Sequence, residues 1–119
     1  MDPDLHEETV RGNLSVRHVG FARDELRVVL ASTRGEPALV VELKGVHSFF
    51  DRGVANYGPV VAHVTEPGSF GWHLSAEDRA RHREVHINAK ADPTNNLFRA
   101  IARSVRTRTG ESEDRNFPG

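Results

Sequence analysis

From Leu14 onward, apolar and polar residues alternate in short runs. Leu14, Val16 and His18 share one parity, and Leu26, Val28 and Leu30 repeat it after the polar residues 22–25. Leu39, Val41 and Leu43 form a third run beyond the Gly-Pro turn at 34–37. Period-two alternation with β-branched residues predicts half-buried strands. Gly45 interrupts the third run, so residues 46–50 are expected either as a fourth strand or as a bulged continuation. Residues 51–59 (DRGVANYGP) break the pattern and read as a loop. Strand character returns at 60–65, a turn follows at 66–69, and residues 70–74 read as a further strand.

Ser75 followed three residues later by Asp78 has the form of a capping box, which predicts a short helix. Val85, Ile87 and Ala89 then alternate as a strand; a helix over 76–85 is the competing reading. Residues 92–95 end that strand. Leu97, Ile101 and Val105 recur at helical spacing, with Phe98 and Ala102 beside them, so a final amphipathic helix is expected over 96–107. The predicted class is α+β: an antiparallel meander of about six or seven short strands with one C-terminal amphipathic helix packed on one face. Residues 1–12 are expected as a flexible arm ordered only through Leu5 and Val10, 13–107 as a single domain, and 108–119 as a disordered tail.

Charge changes this picture by what it excludes. Sixteen basic residues face 17 acidic ones, which lacks the basic excess of a dedicated nucleic-acid binder. The absence of cysteine removes disulfides, thiolate metal sites and cysteine nucleophiles, and fits a reducing compartment. No apolar run reaches the roughly 20 residues of a membrane span. The acidic start lacks the basic and apolar regions of a signal peptide, so a cytoplasmic address is expected.

Three groups of residues could carry chemistry. If the strand parities hold, His63, His73 and His86 lie opposite the core-facing residues of their strands. Converging there, they would offer three metal ligands or a general base. No HExxH or HxH spacing supports them, and Arg83 stands where a zincin would need Glu between His82 and His86. Second, the loop offers Asp51, Arg52, Asn56 and Tyr57 beside Phe49 and Phe50, a composition suited to partner contact. The two phenylalanines should point to opposite faces. Third, Arg99, Arg103 and Arg106, with Arg108 beyond, would form one face of the final helix and could meet phosphate or an acidic partner. No GxSxG, Walker or GxGxxG pattern is present, no catalytic residue stands out, and no cofactor is implied.

The order of Leu5-His-Glu-Glu-Thr-Val, Glu25-Leu-Arg-Val-Val-Leu, Ala38-Leu-Val-Val-Glu-Leu and Lys44-Gly-Val-His-Ser-Phe-Phe resembles small bacterial β-rich domains that include immunity proteins of polymorphic toxin systems. The resemblance covers about residues 5–50; Glu7 stands where that pattern favours Asp. It implies a non-enzymatic domain that binds a protein partner by surface complementarity. A small histidine-based metal-dependent or acid/base enzyme and an arginine-rich nucleic-acid contact are the alternatives. An open edge strand would also allow pairing with a second copy.

Overall fold

In the computed structural model, which describes residues 2–32, 37–55 and 57–117, six antiparallel strands form one sheet. They are β1 (Ser15–Ala22), β2 (Glu25–Ala31), β3 (Pro37–Asp51), β4 (Val60–Thr65), β5 (Arg83–Ala89) and β6 (Asn96–Thr109), in spatial order β1-β2-β3-β6-β5-β4. Two short helices, α1 (Leu5–Arg11) and α2 (Ala76–Arg81), and two 3₁₀ turns, Ser69–Gly71 and Ser112–Asn116, are the other elements among the described residues. The expected turn at 34–37 falls mostly outside the described residues.

The alternating runs form strands because one parity enters a shared core. Leu26, Val28 and Leu30 of β2 pair in register with the core-facing residues of β3, and Val60 and Ala62 of β4 meet Ala89 and Ile87 of β5. This inner face also takes Leu5 and Leu14, Val54 from the loop after β3, and Phe98, Ala100 and Ala102 from β6. Residues 46–50 prove to be the bulged continuation of β3. Its pairing with β6 shifts between Val46 and Ser48. Gly45 sits at φ +66° there, and a Cβ would press to about 3.0 Å from the Arg103 side chain. Left-handed backbone and close approach together require glycine.

The expected C-terminal helix is corrected to strand β6. A spacing of four is compatible with both periods, so Leu97, Ile101 and Val105 could not decide between them. Paired with β3 on one side and β5 on the other, β6 satisfies its backbone in two ladders. Leu97 and Val105 join the inner core, whereas Ile101 lies on the outer face against Gly71. The expected strand at 70–74 is likewise corrected, to a 3₁₀ turn followed by the cap of α2.

Short helical segments also form near each end of the described residues, at 5–11 and 112–116. Residues 5–11 form α1, capped by the Asp4 carboxylate, which accepts the Glu7 N–H. Leu5 and Thr9 are buried, whereas Val10 is exposed. The Thr9 hydroxyl accepts the Ala62 N–H at 3.0 Å and donates to Leu5 O at 2.9 Å, which covers part of the open edge of β4. Beyond β6, the turn at 112–116 docks over the outer face. Arg108 donates to both oxygens of the buried Asp114 and to Glu42, and Arg27 lies 4.2 Å over the Phe117 ring. The Arg108 hydrogen bonds hold the Asp114 carboxyl below its ordinary pKa. No helix among the described residues is long and apolar enough to cross a membrane.

Candidate functional site

The outer face of β5 and β6 is covered by the segment that runs from the end of β4 into α2. That segment has no strand partner, so its carbonyls are taken by a side chain. Arg79 of α2 donates to Pro67 O at 2.6 Å and to Gly71 O at 2.8 Å. Ser75 caps the helix by accepting the Asp78 N–H at 3.1 Å. Gly71 packs so closely that a Cβ would lie 2.9 Å from Leu74 and 3.0 Å from Ile101. The covering segment is therefore pinned to the sheet at both ends of its turn.

Beneath it lies a buried polar cluster. Glu84 is fully buried, and each of its oxygens is used. Oε1 accepts the Gly68 N–H at 2.9 Å, whereas Oε2 lies 2.9 Å from His86 Nε2 and 3.5 Å from Arg99 Nη1. The Thr65 hydroxyl donates to Glu66 O and so accepts from His86 Nε2 at 3.0 Å, which places the imidazole proton on Nε2. His63 stacks on His86 with ring centroids 5.0 Å apart, and its buried Nδ1 has no hydrogen-bond partner among the described residues.

This environment favours neutral imidazoles. Burial pushes the His63 pKa below its ordinary value, and His6 and Arg99 push it the same way. Burial also lowers that of His86; the Glu84 carboxylate opposes it, and Arg99 and His63 add to it. The stability that accompanies these lowered values is fully present above the ordinary pKa of 6.5 and is lost as pH falls through the folded-state values. Urea unfolding from about pH 7.5 to about pH 5 should show stability falling with acid, at up to about 1.4 kcal/mol per pH unit for each proton taken up. The double variant His63→Gln, His86→Gln should flatten that slope. An unchanged slope would place the titration elsewhere.

Of the three histidines expected to converge, the structure joins His63 and His86. His73 lies instead with His47 of the β3 bulge, at 5.0 Å between centroids, and His47 lies 5.7 Å from His82. His82 is buried and donates from Nδ1 to Asp78 O at 2.6 Å. Among the described residues, no group of three or more His, Cys, Asp or Glu is placed to hold a metal ion. Trp72 stands beside His73, 5.5 Å between ring centroids, and is 80% exposed.

The residues of the expected contact loop divide between the two faces. Phe49 points inward at the end of the sheet, against Phe21 and Phe98, yet remains 40% exposed. Phe50 points outward and meets the Phe70 ring edge-on at 5.3 Å. The Asp51 carboxylate accepts the N–H groups of Gly53 and Val54, so it shapes the turn. Arg52 lies 5.3 Å over the Phe50 ring. The Tyr57 hydroxyl accepts from Asn95 at 3.4 Å, and Asn56 lies outside the described residues.

A cleft of about 320 Å³ opens between these parts, lined by Phe50, Arg52, Ser69, Phe70, Asn96 and Arg99. The arginine stripe expected on a final helix is corrected with the helix itself. Arg99 faces Glu84, Arg106 lies 3.4 Å from Asp2, Arg108 is tied to Glu42 and Asp114, and Arg103 packs on Gly45. No family model, curated protein or solved structure matches the chain. Sequence reasoning missed Glu84, His47 and Trp72. Glu84 shares its strand parity with His86, which was the available signal; the exposure of Trp72 left none.

Proposed function

We propose that this chain is a small protein-binding domain of the bacterial immunity or accessory kind, acting by surface complementarity. The observation that carries the reading is Trp72. It is the chain's single tryptophan, held 80% exposed on a segment that Arg79 and Glu84 fix in place. A large aromatic presented on a rigid support is the usual anchor of a protein interface. His73 lies beside it with His47 next in turn, and Phe50 and Phe70 are on the same outer face. The resemblance over residues 5–50 supports the immunity-like assignment, and nothing else does.

The acid/base alternative finds support in the Glu84–His86 pair, whose arrangement leaves His86 Nδ1 as a free base. Neither His63 nor His86 lines the cleft beside them. A nucleic-acid contact loses the helix that would have presented its arginines.

The test compares affinity capture from the source cell by the wild-type chain and by Trp72→Ala, with folding checked by circular dichroism. A protein retained by the wild type and lost by the folded variant, at a cost of about 2 kcal/mol or more in affinity, is the expected result. Equal retention by both chains, or no retained protein, would overturn the reading.

A further inference from the structure

The cleft lined in part by Ser69 and Phe70 of the covering segment has an electrostatic character that the proposed binding face does not by itself require. Two of its six lining residues are arginines and none is a carboxylate. Arg99 comes from β6, held by Glu84 Oε2 at 3.5 Å and by Asn96 Oδ1 at 3.2 Å. Arg52 comes from the loop after β3 and makes no ion pair among the described residues, its guanidinium resting near the Phe50 ring. Glu84 offsets one of these cations from below, and burial keeps His63 and His86 towards their neutral forms. The cleft therefore keeps about one net positive charge. Its rim adds the Ser69 hydroxyl and the Asn96 amide, and its walls are Phe50 and Phe70.

Resting on the protein-binding reading, we infer that this cleft receives the carboxylate of an Asp or Glu side chain on the partner, at the covering segment that also carries Trp72. A volume of about 320 Å³ is sufficient for one acidic side chain. Guanidinium groups pair with carboxylates through parallel N–H···O bonds. The flanking Phe50 and Phe70 rings offer apolar surface to the methylene stem of such a side chain. Charge complementarity selects an acidic occupant over a basic or neutral one.

The experiment uses the isotopically labelled full chain and records amide and arginine side-chain NMR shifts. The probes are the blocked tripeptides Ala-Glu-Ala and Ala-Gln-Ala, with acetate and inorganic phosphate as separate arms. The Glu peptide should shift the signals of residues 50, 52, 69, 70, 96 and 99, with a dissociation constant of roughly 1 mM for so small a probe. The Gln peptide should not, and Arg52→Gln, at an exposed position, should weaken the Glu peptide at least about tenfold. Acetate shifting the same residues more weakly supports the carboxylate and the contribution of the stem. Acetate matching the Glu peptide assigns the cleft to free small acids and overturns the inference. So does phosphate binding in preference to carboxylate, equal response to Glu and Gln, or an unaffected Arg52→Gln. Any of these with Trp72-dependent capture intact removes the cleft alone. Loss of that capture with Glu-selective shifts intact removes the binding face instead.

Discussion

Phe98→Ala is expected to lower the free energy of unfolding by about 4 kcal/mol, the largest effect of any single substitution considered. Phe98 is fully buried on the central strand β6, opposite Asp51 of β3 and Ile87 of β5 in register. Its ring closes the inner core and supports Phe49, 6.4 Å away. Truncation removes both transfer energy and packing, because strands on each side hold the cavity open. Native domains hold roughly 5–15 kcal/mol, so the variant should stand close to its threshold. Urea unfolding should show a lower midpoint with an unchanged slope. A loss below about 1 kcal/mol would be incompatible with Phe98 at the centre of the core.

Glu84→Ala is expected to cost about 3 kcal/mol for a different reason. Glu84 takes the Gly68 N–H, faces Arg99 and orients His86 from a fully buried position. Removal leaves Arg99 facing its pocket without a counter-charge, and frees the turn that carries Trp72. Two readouts should therefore move together: the unfolding midpoint and the emission of the single tryptophan. A double-mutant cycle with Arg99→Ala should give a coupling of about 1 kcal/mol or more. A Glu84→Ala variant as stable as the wild type would show that the carboxylate contributes nothing to the covering segment.

The strands β1 to β5 were legible because one parity of each is apolar and enters the inner core, although β2 and β3 also bury Val29 and Val40 on the other face. The same parity placed His63 and His86 on the outer face and put Phe49 and Phe50 on opposite sides, while Gly45 left a fourth strand and a bulged continuation both open. β6 was not legible. Its residues from Leu97 to Ala102 are buried on both faces, with Arg99 drawn in by Glu84, which erases period two. Residues 70–74 alternate like a strand, but their neighbours in space are Arg79, Pro67 and Ile101 rather than another ladder. Of the candidate site, the aromatic and arginine members at 50 and 52 could be read locally. Ser69, Phe70, Asn96 and Arg99 could not, since they meet Phe50 only through the sheet order.

That sheet order bears on how the chain reaches its native state during synthesis. β1, β2 and β3 can zip together as successive hairpins, and β4 with β5 as another, soon after each leaves the ribosome. The two halves share no ladder, and the inner edges of β3 and β5 both wait for residues 96–109. Until then two unpaired edges stand open on the nascent chain, available to chaperones or to a neighbouring copy. β6 acts as a latch: its emergence closes both edges in one step, and in that step its Arg99 reaches the cluster beneath Trp72.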